Sequence, residues 1–145
     1  MRWIVVAALV ASLPPALAAQ DRQVVFPAGA RTAGPYSPGI KAGGLVWASG
    51  QIGVTPGTRN LVPGGVGPVT RQTMENIGRV LEAAGTSFAR VVKCTVFLTD
   101  INDFAAMNAV YATFFPAEAP ARSTVAVTAL VAGAHVEIDC IALAG

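Results

Sequence analysis

The stretch "VVKCTVFLTDINDFAAMNAVYATFF", Val91 to Phe115, changes its period halfway along, and that change decides the fold class. Val91 to Thr99 is β-branched and alternating, the pattern of a half-buried strand. Asp100 or Asn102 then caps a helix that runs to about Phe115. Its apolar face takes Phe104, Met107, Tyr111, Phe114 and Phe115. Asn108 falls on the same face. A buried amide needs partners, so Asn108 is either a structural hydrogen-bonder or part of a site.

Upstream, Val69 to Ala84 places Thr70, Thr73, Met74, Ile77, Val80, Leu81 and Ala84 at helical spacing, with Pro68 suited to the first turn and Gly85 to the stop. Before it lie the first confident strand, "LVWASGQIGV" (Leu45 to Val54), and a Gly/Pro-rich loop with room for a short strand at Asn60 to Val62. "GPYSPGIKAGG" reads as turn residues. Downstream come two strands, Ala121 to Leu130 and His135 to Leu143, joined tightly through Val131 to Ala134. The expected order is β-α-β-α-β-β, an α+β domain with two helices on one face of a mixed sheet. The other face would carry Lys93, Thr95, Glu137 and Asp139 among Val, Ile and Phe. Such a face suits contact with copies of itself in a closed oligomer.

At 145 residues the chain holds one domain. Its first segment, "MRWIVVAALVASLPPALAAQ", combines Arg2, an apolar run, Pro14-Pro15 and the small-residue pattern Ala16-Leu17-Ala18. It reads as a secretory signal peptide, residues 1–18, cleaved after Ala18 to leave a domain over 19–145. The run falls well short of the ~20 residues that span a bilayer, so the expected product is periplasmic or secreted, without stable membrane insertion. Cleavage removes Arg2 and lowers the formal net charge from +2 to about +1. The remaining cations are scattered, with no basic stripe or aromatic ladder, which argues against nucleic acid as a partner. A charged fraction of 12% and a mean hydropathy of +0.56 suggest surface hidden by self-association.

A disulfide between Cys94 and Cys140 is open to an exported chain. Two buried free thiols are the preferred reading, since nothing in the sequence puts them within bridging distance. His135 is the only histidine, and with no Cys-x-x-Cys pair a metal site is not expected. Ser49 in "ASGQIG" lacks the nucleophile-elbow pattern, and "GGVG" and "GTRN" lack the context of a phosphate loop.

Two charges enter otherwise apolar strand patterns, Arg122 in "PARSTVAV" and Glu137 in "HVEIDCIAL". From Phe104 to Val136 only Glu118 and Arg122 are formally charged, so Arg122 calls for a specific anionic partner. The pair could be a plain salt bridge, which costs desolvation at both ends and adds little stability. Alternatively, the guanidinium fork holds a small carboxylate while the carboxylate of Glu137 orients or deprotonates water.

The motifs "GPYSPG", "ASGQIG", "TRQTMENIGRVLEAAG", "VVKCTVFLTDINDFAAMNAVYATFF", "PARSTVAV" and "VEIDCIAL" resemble, in order and spacing, the RidA (YjgF-type) reactive-intermediate deaminases, over about Ala33 to Ala142. The resemblance implies a chorismate-mutase-like fold and a homotrimer with clefts at its subunit interfaces. It also implies hydrolysis of 2-imino acids or their enamine tautomers to 2-oxo acids and ammonia, with no metal or cofactor. By the same resemblance, Arg122 clamps the substrate carboxylate and Glu137 positions the attacking water. Tyr36, Ser49, Gly50, Asn108 and Thr124 would line the pocket. Thr124 stands where the family often has Cys, and the loop before Pro120 is short, which bears on pocket shape and substrate size. A non-catalytic trimer that binds small carboxylates or unfolded chains is the competing expectation.

Overall fold

The computed structural model describes residues 22–30 and 32–145; the expected leader and its cleavage point after Ala18 lie outside these. The elements are β1 (Gln23–Val25), β2 (Gly39–Ala42), β3 (Leu45–Ile52), α1 (Val66–Ala83), β4 (Val91–Leu98), α2 (Phe104–Tyr111), β5 (Ala121–Ala126) and β6 (Val136–Leu143), with short 3-10 turns between some of them. They form one six-stranded sheet in the order β1-β2-β3-β6-β4-β5. β4 and β5 pair in parallel and every other neighbouring pair is antiparallel. The α+β class and the mixed sheet are as expected.

The expected order lacked two strands at the start. "GPYSPGIKAGG" is not only turn: Gly39–Ala42 pairs with Leu45–Ala48, and β1 adds outside it. Gly43 and Gly44, at φ 62 and 73, make the two-residue Gly-Gly connection that suits the twist of a hairpin. Gly39 is needed for a different reason. A Cβ there would sit 2.7 Å from Val80 Cγ1, so its absence lets β2 pack close against α1.

Helix α1 begins three residues before the expected Val69 and keeps Pro68 in its first turn. It ends at the expected glycine: Gly85 has φ 76, and the N–H groups of Gly85 and Thr86 donate to the carbonyls of Glu82 and Leu81 at 2.9 Å each. The buried stripe includes Val69, Thr73, Met74, Ile77, Val80 and Leu81. After β4, the Asp100 side chain accepts from the Asn102 N–H at 2.9 Å and starts a 3-10 turn that feeds α2. Regular α-helix stops at Tyr111, and a second 3-10 turn covers Ala112–Phe114. β5 ends at Ala126 rather than Leu130.

The core lies between the helices and the sheet. Val46, Val96, Leu98, Val136 and Ile138 of the strands meet Met74, Ile77 and Leu81 of α1 and Met107 of α2, all fully buried. At the centre of that layer, β4 and β6 pair with Cys94 opposite Cys140, and the two cysteines form a disulfide across 46 residues of sequence. This corrects the expectation of free thiols. The pairing register brings them together, and sequence spacing carries no trace of it. Replacing both cysteines by alanine is expected to lower the unfolding free energy by about 2–4 kcal/mol, read as a shifted midpoint in denaturant titration. An unshifted midpoint would mean that the bridge is not formed in the protein.

On the opposite face the register aligns Trp47 with Ile141, Thr95 with Asp139, and Phe97 with Glu137. Trp47, Val125 and Leu143 on this face are each more than 40% exposed, among the half-buried Lys93, Thr95, Glu137 and Asp139. The four polar residues named from sequence do share the side of the sheet away from the helices.

Candidate functional site

The site residues expected from sequence fall into two clusters on opposite faces of the sheet. Arg122 lies beside Cys94 in the parallel β4–β5 register and therefore shares the helix-side face with it. Its Cζ sits over the ring of Tyr111 at 4.7 Å from the centroid and over that of Phe104 at 5.6 Å. Asn108 occupies the same stripe of α2, four residues after Phe104 and three before Tyr111. Thr124 follows two residues along β5, and its buried Oγ1 has no hydrogen-bond partner. The same is true of the Tyr111 hydroxyl, whose pKa burial pushes up to about 12 against the opposing pull of the Arg122 cation.

Arg122 differs from the other well-placed cations. Arg79, Arg90 and Lys93 each donate to a carbonyl or hydroxyl. Among the described residues the Arg122 guanidinium has no such acceptor and no carboxylate. The plain salt bridge to Glu137 is therefore overturned. Glu137 pairs with Phe97, on the other face and three residues along β4 from Cys94, so the two charges cannot meet within one chain.

Glu137 anchors the second cluster. Its side chain lies across Gly50, where an added Cβ would fall 2.9 Å from the Glu137 Cδ, so a side chain there would displace the carboxylate. Gly50 sits in the β3 irregularity between Ala48 and Gln51. That irregularity is held at both ends. The Ser49 hydroxyl donates to the Ser37 carbonyl at 2.6 Å, and its N–H donates to the Pro38 carbonyl at 2.9 Å, which ties it to the segment carrying the exposed Tyr36. Asn76 of α1 donates to the carbonyls of Ile52 and Val54 at 3.0 and 2.9 Å and fixes the far end. Burial raises the Glu137 pKa, and the neighbouring Asp139 carboxylate raises it further.

Two contributors were missed in the sequence. Phe104 and Tyr111 read as core, yet Phe104 is 39% exposed and both rings face Arg122. The i, i+4, i+7 spacing around Asn108 was the available signal. No cluster able to hold a metal ion is found among the described residues, and no helix among them is long and apolar enough to cross a membrane.

A family model described as Endoribonuclease L-PSP matches residues 28–144. The chain belongs to this family, the RidA (YjgF-type) proteins whose motifs it carries. It is 46% identical over 125 residues to the 2-iminobutanoate/2-iminopropanoate deaminase of Capra hircus, a match covering 86% of this chain and 91% of that protein. It is 47% identical over 109 residues to the chloroplastic Reactive Intermediate Deaminase A of Arabidopsis thaliana, covering 75% of this chain and 58% of that one. Among solved structures, that of E. coli TdcF with bound serine superposes with a TM-score of 0.79 at 38% identity, over 85% of this chain and 99% of that chain.

The raised pKa of Glu137 has a readable consequence. The folded protein keeps this proton to higher pH than the unfolded chain does, so the stabilising contribution of the protonated carboxyl is complete below 4.5 and is lost as pH rises through the folded value. Glu137→Gln should therefore melt at a higher temperature than the parent at pH 7. The difference should close on acidification toward 4.5; a constant difference from pH 4 to 8 would contradict the shift.

Proposed function

We propose that this chain is an exported, metal- and cofactor-independent 2-imino acid deaminase, with the mature domain beginning near residue 19. One observation carries the reading: a half-buried guanidinium, stacked on aromatic rings and without an acceptor among the described residues. A cation held this way suits a small planar anion from outside the chain. The substrate carboxylate accepts two parallel N–H bonds from Arg122, and Asn108 and Thr124 offer neutral polar groups beside it. The imine carbon next to that carboxylate is electrophilic. Water adds to it as the Glu137 carboxylate takes a proton from the water, giving a tetrahedral carbinolamine. Proton transfer to nitrogen and collapse expel ammonia and leave the 2-oxo acid. The raised Glu137 pKa favours this role, because a base whose affinity for protons lies nearer neutrality accepts one more readily.

Since Arg122 and Glu137 lie on opposite faces of one sheet, a site using both takes them from two copies. The half-exposed apolar face around Trp47, Val125 and Leu143 supports association, and the closed form proposed is a trimer. Tyr36, Ser49 and Gly50 then belong with Glu137 on one side of the shared cleft. The relatives named as deaminases and the neighbour solved with serine support a small amino-acid-like ligand. Export is supported by the leader pattern and by the Cys94–Cys140 bridge, which suits an oxidising compartment. The chloroplastic name of one relative marks an organelle address as the competing reading of the same N-terminus.

Ammonia release from freshly generated 2-iminobutanoate tests the activity. Arg122→Ala should lower it at least ~100-fold, equivalent to about 2.7 kcal/mol, with little change in melting temperature; Arg122→Lys should recover little. Co-refolding Arg122→Ala with Glu137→Gln should restore part of the activity that neither variant has alone. Inactive mixtures would overturn the shared site, and binding of 2-oxobutanoate with no ammonia release by the parent would favour the non-catalytic carboxylate binder.

Expression in a bacterial host with N-terminal sequencing checks the address. The expected result is a periplasmic or secreted product beginning at Ala19 or Gln20. An intact Met1 in the cytosolic fraction would refute export.

A further inference from the structure

A guanidinium offers five N–H donors in one plane, and in most half-buried arginines some of these are taken up by protein carbonyls or carboxylates. Arg122 is held differently. The face of Tyr111 lies 4.7 Å from its Cζ, and Phe104, two helical turns away, lies at 5.6 Å. Ring-face contacts attract the cation through the π-quadrupole and consume no N–H. They fix the position of the fork while leaving its edge free for a carboxylate. Tyr111 is itself rigidly seated. It is 4% exposed, its ring packs on Phe115 with centroids 4.9 Å apart, and Phe115 packs edge-on against Phe88 at 5.6 Å. Phe88 in turn lies against α1, where a Cβ on Gly78 would come 3.1 Å from its Cε2. A continuous line of packed rings thus runs from α1 to the guanidinium.

We propose that Tyr111 is a positioning residue for Arg122, acting through the face of its ring rather than through its hydroxyl. The inference rests on the reading of Arg122 as the carboxylate clamp. The hydroxyl, buried and without a partner, is dispensable to this task, so Tyr111→Phe keeps the platform and Tyr111→Leu removes it.

The test measures kcat and KM with 2-iminobutanoate, 2-oxobutanoate affinity by calorimetry, and the melting temperature of each variant. Tyr111→Leu should raise KM and weaken 2-oxobutanoate binding about ten-fold, within the range of a desolvated cation–π contact, with kcat changed far less. Tyr111→Phe should match the parent in both. The double variant Arg122→Ala/Tyr111→Leu should be no worse than Arg122→Ala alone, because a residue acting through Arg122 has nothing left to act on. An unchanged KM in Tyr111→Leu, equal damage in Tyr111→Phe, or a fully additive double variant would each overturn the proposal while leaving the clamp intact. Parent-like 2-oxobutanoate binding by Arg122→Ala would instead remove the clamp, and this inference with it. Should Tyr111→Leu fail to fold, Phe104→Leu at the more exposed ring is the second reading. It should raise KM by about three-fold with kcat preserved, and an unchanged KM there overturns the platform.

Discussion

The structure depends on β4, the strand that holds β6 on one side and β5 on the other. Its antiparallel register with β6 sets Cys94 opposite Cys140 and Phe97 opposite Glu137. Its parallel register with β5 sets Cys94 beside Arg122 and Val96 beside Thr124. Because side chains alternate across a strand, these two registers assign Lys93, Arg122, Glu137 and Asp139 their faces. A one-residue slip on either side would turn Arg122 or Glu137 to the wrong side of the sheet. The Cys94–Cys140 bridge covalently holds one of the two registers, immediately next to the arginine.

The two faces solve different physical problems. On the helix side, Arg122 sits at the sheet edge beside α2, where aromatic rings replace the water it has lost without occupying its donors. On the other side, Glu137 lies over a glycine among half-exposed apolar residues, close to Asp139, and its charge is disfavoured. The strand registers keep Arg122 and Glu137 apart, so neither serves as the other's counter-ion within the chain.

Much of the fold was legible along the chain. The helix period of α1, its proline and glycine ends and the alternation of β4 and β6 are local properties, and each appears close to where the sequence puts it. The first two strands were hidden because β2 has four residues, begins with glycine and is followed directly by Gly-Gly, so local composition favours turn. Its strand character comes from the partner it pairs with. The Gly-Gly dipeptide between two short apolar runs was the hairpin signal that could have revealed it.

Residue identity alone determined that Arg122 and Glu137 are the unusual charges, that Asn108 shares the apolar face of its helix, and that six motifs stand in a family's order. Those conclusions follow from which side chains break an apolar pattern, and a pattern is a property of sequence. Only the tertiary structure decided that the two charges lie on opposite faces, that the cysteines are bridged, that Glu137 lies across Gly50, and that the rings of Tyr111 and Phe104 face the arginine. Each of these depends on strand register or on contacts between elements distant in sequence. Periodicity says which residues share a face of one element, and pairing alone says which faces meet.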